Sequence, residues 1–147
     1  MKTLKSTAYL ILITVLMISC NNSIKNGKKL SQTNIKYLED IGLIEEKEKI
    51  ILFTSQMNIQ TSGNLITDKR LASYWIDKKK NTREIHSAFY NEIDTLLTKD
   101  LTKSMTYASF IKVIKKDKSE FKVYVDDNEK NTNHFFKKAL NQWKKKK

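Results

Sequence analysis

Gly63-Asn64-Leu65-Ile66-Thr67-Asp68-Lys69-Arg70-Leu71-Ala72-Ser73-Tyr74-Trp75-Ile76 reads as two strands folded about a polar Thr67–Arg70 turn. Leu65 and Ile66 lie on the incoming strand, and on the outgoing one Ala72, Tyr74 and Ile76 alternate against Leu71, Ser73 and Trp75. Both sets carry apolar residues, so alternation does not fix the inward face, although the Ala72 set is the cleaner candidate. Asp68 has the chemistry to accept hydrogen bonds from amides within the turn. Lys69 and Arg70 are read as a wet, basic turn tip or as an anion contact.

Before the hairpin, Ser55 to Ser62 is a polar loop, and Lys49 to Thr54 holds Ile50, Ile51, Leu52 and Phe53 as a buried strand after the charged Glu45-Glu46-Lys47-Glu48. After it, the Asp77-Lys78-Lys79-Lys80-Asn81 turn leads into a weakly alternating strand over Thr82 to Ala88. Phe89, Ile93, Leu96 and Leu97 carry the next strand or pair, with an irregularity at Tyr90-Asn91-Glu92. Met105 to Ile114 and Phe121 to Val125 alternate as strands about a basic Lys115 to Ser119 turn. Asp126 to Asn133 is a helix start, and Phe135, Phe136, Ala139, Leu140 and Trp143 repeat at helical spacing before Lys144 to Lys147. A second, shorter amphipathic helix is expected over residues 31–44, with Ser31 or Thr33 as cap and Gly42 as terminator.

The N-terminus has another character. Lys2 and Lys5 precede an apolar run from Ala8 to Ile18, too short to span a bilayer as a mature helix and typical of a signal peptide. Met17-Ile18-Ser19-Cys20 resembles the lipobox of bacterial lipoproteins, with Met17 where Leu is usual. The resemblance implies cleavage before Cys20 and acylation of this cysteine, the only one in the chain, giving a membrane-anchored envelope protein. By the same resemblance, Asn21 is compatible with export to the outer membrane of a Gram-negative cell. The expected divisions are a signal peptide over 1–19, an anchor and tether over 20–30, the short helix over 31–44 and a domain over 45–147.

The whole chain has 147 residues, with 28 Lys and Arg against 16 Asp and Glu, a formal +12. Loss of Lys2 and Lys5 with the signal peptide leaves 26 against 16, or +10. Such a surface favours anionic partners in general. Export separates the chain from most nucleic acid, so membrane, protein and peptide partners are the expected classes and nucleic acid is not.

About seven short strands followed by one helix resemble the pleckstrin-homology-like fold, and more closely the bacterial PH-like and GRAM-like domains. The matching residues are Glu48 to Phe53, the string Ile66-Thr67-Asp68-Lys69-Arg70-Leu71-Ala72-Ser73-Tyr74, Asn91-Glu92-Ile93, and Phe135 to Trp143. The resemblance implies a mainly β fold: two near-orthogonal antiparallel sheets forming a partly open barrel capped by the C-terminal helix. It also implies that the loops Ser55 to Ser62, Asp77 to Asn81 and Lys115 to Ser119 gather at the end away from the helix. Lys78, Lys79, Lys80, Lys115, Lys116 and Lys118 would then share one rim able to meet anionic lipid or an acidic partner. The phosphoinositide-binding eukaryotic members carry basic residues where Thr54 to Asn64 has none, so recognition of that kind is not expected.

Catalysis has little support in the sequence. His86 and His134 lie far apart, three glycines form no phosphate loop, and no cofactor or metal motif is present. Ser109-Phe110-Ile111-Lys112 matches Ser-x-x-Lys without the companion motifs of that chemistry. The expected function is a non-catalytic, lipid-anchored binding or scaffolding module. The competing expectation is a small periplasmic enzyme, or an enzyme subunit with a site shared with a partner, which turnover lost on changing Ser109 or His86 would reveal.

Overall fold

The computed structural model describes residues 24–104 and 107–146. The signal peptide, Cys20, the tether up to residue 23, and Met105 lie outside the described residues. Strands β1 (Lys25–Asn26), β2 (Ile50–Thr54), β3 (Ser62–Thr67), β4 (Arg70–Asp77) and β5 (Thr82–Phe89) form an antiparallel sheet in sequence order. Strands β6 (Ile93–Lys99), β7 (Ser109–Lys115) and β8 (Glu120–Val125) form a second one. Helix α1 (Gln32–Asp40) precedes the first sheet, and helix α2 (Glu129–Lys146) follows the second. The seven expected strands and both helices are present, and the irregularity at Tyr90–Glu92 is a short 3-10 turn between the sheets.

The ambiguous faces of the hairpin are both buried, because each has its own cover. Ile66 and Leu71 pack with Ala88, Ile111, Val113, Val123, Phe135 and Phe136 between the sheets and α2. Leu65, Ala72 and Tyr74 pack on the other side with Leu38, Leu43 and Ile44, from α1 and the residues after it. The expected helix over 31–44 thus turns the first sheet into a middle layer, and β3 is buried along its whole length. Ser31 caps it by accepting from the Asn34 N–H at 3.2 Å, and Gly42, at φ 74°, ends it.

The Thr67–Arg70 turn is built differently from the sequence expectation. Thr67 Oγ1 accepts from the N–H groups of Lys69 (3.0 Å) and Arg70 (2.9 Å). Asp68 instead reaches out of the turn, its Oδ1 accepting from Lys49 N–H at 3.0 Å while its own N–H donates to Lys49 O. Asp68 therefore fastens the hairpin to the start of β2. Arg70 is no wet tip. Its side chain is 8% exposed, Nε donates to Glu48 Oε1 at 3.1 Å, and Nη2 lies 2.9 Å from Glu48 and 2.8 Å from Glu45. The guanidinium also lies over the Phe89 ring at 4.0 Å. The Nη2 contacts are close in distance but not aimed as hydrogen bonds, so charge and the Nε bond carry the pair.

The last residues of the expected tether belong to the folded body. Lys25 and Asn26 pair with Phe53 and Leu52, Ile24 packs on the inter-sheet core, and its N–H donates to Asp127 Oδ2 at 3.0 Å. A side chain on Gly27 would run into the Ile50 carbonyl, so glycine is what lets this segment lie against β2.

Two buried tyrosines make stability pH-dependent. Tyr74 donates to Ile59 O, and Tyr90 donates to Thr67 O at 2.7 Å. Burial pushes both phenols far above their ordinary range, with Tyr37 adding to Tyr74 and the Asp68 and Glu48 charges adding to Tyr90. The folded pKa values are raised, so the stabilisation is complete below the unfolded value, near 10, and is lost as pH rises beyond it. Denaturant midpoints measured across this range should fall steeply above about pH 10, and replacing Tyr90 by Phe should flatten the fall. At neutral pH that variant should lose about 1 kcal/mol, because Thr67 O loses its donor.

Candidate functional site

Register places three rows of side chains across the inner face of the first sheet. Ile66, Leu71 and Ala88 form an apolar row deep between the sheets. The next row is Thr54, Asn64, Ser73 and His86, and beyond it stand Ser62, Trp75 and Glu84. The inter-sheet space thus turns from apolar to polar within two residues of strand, and there it opens as a cleft of about 410 Å³. That size suits a small ligand or a few residues of a peptide.

The opposite wall is β8. Phe121 stacks on the His86 ring, with centroids 5.7 Å apart and planes 15° from parallel. Asn64 Oδ1 accepts from the Tyr124 N–H at 2.7 Å, tying the sheets together at the floor. Thr54 Oγ1 is buried beside Asn64 without a hydrogen-bond partner among the described residues, and so holds unspent hydrogen-bonding capacity. Around the mouth stand Trp75 (40% exposed) and Tyr124 (37%), with Gln56, Lys112, Lys122 and Glu120. Lys112 is paired with Glu120 at 2.8 Å, and Lys122 lies over Phe110 at 4.5 Å. Exposed aromatic rings beside polar groups of both signs can hold an amphipathic chain. A purely anionic ligand would instead call for an excess of free cations.

The structure divides the expected basic rim. Lys78, Lys79 and Lys80 sit on the exposed β4–β5 turn, where Asp77 Oδ1 accepts from the N–H groups of Lys79 and Lys80. The Ile76 N–H donates to Thr61 O, so the loop after β2 lies at this same end, next to the cleft mouth. Lys115, Lys116 and Lys118 belong elsewhere. Lys116 N–H donates to Glu92 O, past the far end of β5, a strand of eight residues that spans about 23 Å. Lys115 lies 3.5 Å from Asp117 and Lys118 3.8 Å from Asp94. The hydroxyl and backbone N–H of Ser119 hold the Asp117 carboxyl below its usual range, keeping that turn charged. The physical reason is the sharp corner at Tyr90–Glu92, which starts the second sheet beside the β3–β4 turn, where the Tyr90 N–H meets Lys69 O.

Other sequence candidates are placed as follows. Ser109 is buried and its Oγ accepts from the Leu101 N–H at 2.8 Å, closing the loop before β7. Lys112 is three residues along the strand, on its other face, in the ion pair with Glu120. His134 is exposed on α2, remote from His86 in the cleft. Among the described residues no group of three or more His, Cys, Asp or Glu is arranged to hold a metal ion, and no helix is long and apolar enough to cross a membrane.

The cleft has only a faint signal in the sequence. Its trace there is the polar set Asn64, Ser73 and His86 in strands whose neighbouring same-face positions are Ile66, Leu71 and Ala88. Only pairing aligns them into a row.

Two antiparallel sheets that do not close into a barrel, joined by a corner and capped by a C-terminal helix, define a PH-like fold. The sequence matches no protein-family model and no curated protein. Among solved structures it is similar to a DUF1696 family protein with a pleckstrin-homology domain from Shewanella loihica PV-4. That likeness has a TM-score of 0.52 at 12% identity and covers 82% of this chain and 96% of the other. At this identity the likeness establishes the fold.

Proposed function

We propose that the protein is a non-catalytic binding module of the bacterial envelope, anchored by lipid on Cys20, that holds an extended segment of a protein partner in the cleft between its sheets. The observation that carries this reading is the cleft's composition: exposed Trp75 and Tyr124 beside hydrogen-bonding groups and charges of both signs. A PH-like scaffold supports it, because its framework residues are committed to two cores and leave the mouth to vary. Ser109, spent on the Leu101 amide, gives no support to an enzymatic reading.

The test uses the full chain recovered from membranes of an expressing bacterium. The N-terminal peptide should carry the mass of an acylated Cys20. Trp75→Ala combined with Tyr124→Ala should lower recovery of co-purifying partner at least about tenfold, a loss of about 1.4 kcal/mol or more, as expected of aromatic anchors. Tyr124 also packs edge-on against Phe110, with ring centroids 6.1 Å apart, so the thermal midpoint is measured alongside and recovery is compared at a temperature where both chains are folded. Unchanged recovery would overturn the cleft assignment, and turnover by the purified chain that is lost with His86→Ala would overturn the non-catalytic one.

A further inference from the structure

The sequence from Lys130 to its end holds seven lysines and no acidic residue, more than half of the chain's net +12. On α2 these are not scattered. Thr132, Phe135, Phe136 and Ala139 are buried, while Lys130, Lys137 and Lys144 are exposed at seven-residue intervals. Seven residues are nearly two helical turns, so the three lysines form a stripe about 21 Å long on the solvent side of the helix, away from its buried face. Lys138 and Lys145 lie to one side of it. The nearest acids on the chain, Asp127 and Glu129, lie at the first turn, where Asp127 already accepts from Ile24, Asn128 and Asn131.

A second observation fixes where this face lies relative to the anchor. Ile24 is bonded to Asp127 at the start of α2 and packed on the inter-sheet core. Only residues 21–23 separate it from Cys20, so four residue steps, at most about 14 Å of chain, join the lipid to the head of α2. Lys25, Lys28 and Lys29, all exposed, follow in the same segment. A tether this short brings the base of α2 to the bilayer.

We propose that the Lys130–Lys137–Lys144 face of α2 lies on the anionic lipid surface of the membrane that holds the chain, so that the domain stands on this helix. The cleft takes none of its lining from α2 and remains open to its partner. This inference rests on the anchoring at Cys20 proposed above, and goes beyond it by naming the contact face. It also replaces the six-lysine rim, since Lys78 to Lys80 lie on a turn that is not part of this face.

Lysine acetylation read by mass spectrometry tests it. The full chain is reconstituted in vesicles of phosphatidylglycerol and phosphatidylcholine, or of phosphatidylcholine alone. Lys130, Lys137 and Lys144 should react about fivefold more slowly on the anionic vesicles, with Lys78, Lys79 and Lys80 unchanged. The protection should vanish in about 1 M salt, where the Debye length falls to about 3 Å. In the Lys130→Glu/Lys137→Glu/Lys144→Glu chain, Lys138 and Lys145 should lose theirs as well. Equal reactivity on both vesicles, or protection of Lys78 to Lys80 instead, would overturn the proposal while leaving an acylated Cys20 intact. A Cys20 without acyl mass would overturn the anchoring reading, and this placement with it.

Discussion

Replacing Arg70 by alanine should lower the thermal midpoint by on the order of 10–20 °C, the effect of losing about 3–5 kcal/mol in a domain of this size. The reason is the group left behind. The Glu48 side chain is fully buried and accepts from Thr67 Oγ1, Arg70 Nε and the Glu45 N–H. Without the guanidinium its charge has no compensation within the core. Replacing the pair together, Glu48→Leu with Arg70→Met, should recover much of the loss, because the cost lies in an unpaired buried charge. A drop of only a few degrees in the single variant would mean that the pair is solvated and does not fasten the hairpin to the segment before β2.

Phe135→Ala should cost about 3–5 kcal/mol in urea unfolding, with an unchanged dependence on denaturant. Phe135 has no exposure and sits where α2 meets the inter-sheet core, among Ile66, Leu71, Val123 and Val125. Strands cannot close that end of the open barrel, and removing the ring leaves a cavity that two twisted sheets cannot collapse to fill. Lys137→Ala, two residues along the same helix but on its outer side, should change stability by less than about 0.5 kcal/mol. The contrast between neighbouring positions separates loss of packing from loss of helix.

Much of this architecture was legible before the structure, and its limits have physical causes. The hairpin, the strand order and the α2 aromatics are local signals: alternation, turn residues and a period of 3.6. What sequence could not supply was anything set by long-range pairing. Arg70 looked like a wet turn residue because its partner Glu48 lies 22 residues away and is buried only once β2 pairs with β3. Ile24 and Gly27 looked like tether because their partners, Asp127 and the Ile50 carbonyl, are contributed by other segments. The basic rim failed as a unit for the same reason: the corner at Tyr90–Glu92 carries Lys115 to Lys118 away from Lys78 to Lys80. Lys144 to Lys146 complement the dipole at the end of α2 on local grounds, whereas what the Lys130–Lys144 stripe faces depends on the segment that docks at the head of the helix.

On the proposed reading, a partner is held in the cleft between the sheets. A photo-crosslinking amino acid placed at position 75 of the full chain, and separately at 124, 79 and 137, tests this in the living envelope. Positions 75 and 124, on opposite walls of the mouth, should yield the same discrete adduct, and position 137 should yield none with that partner. Absence of an adduct from both 75 and 124, with one formed from 79 or 137, would contradict the account.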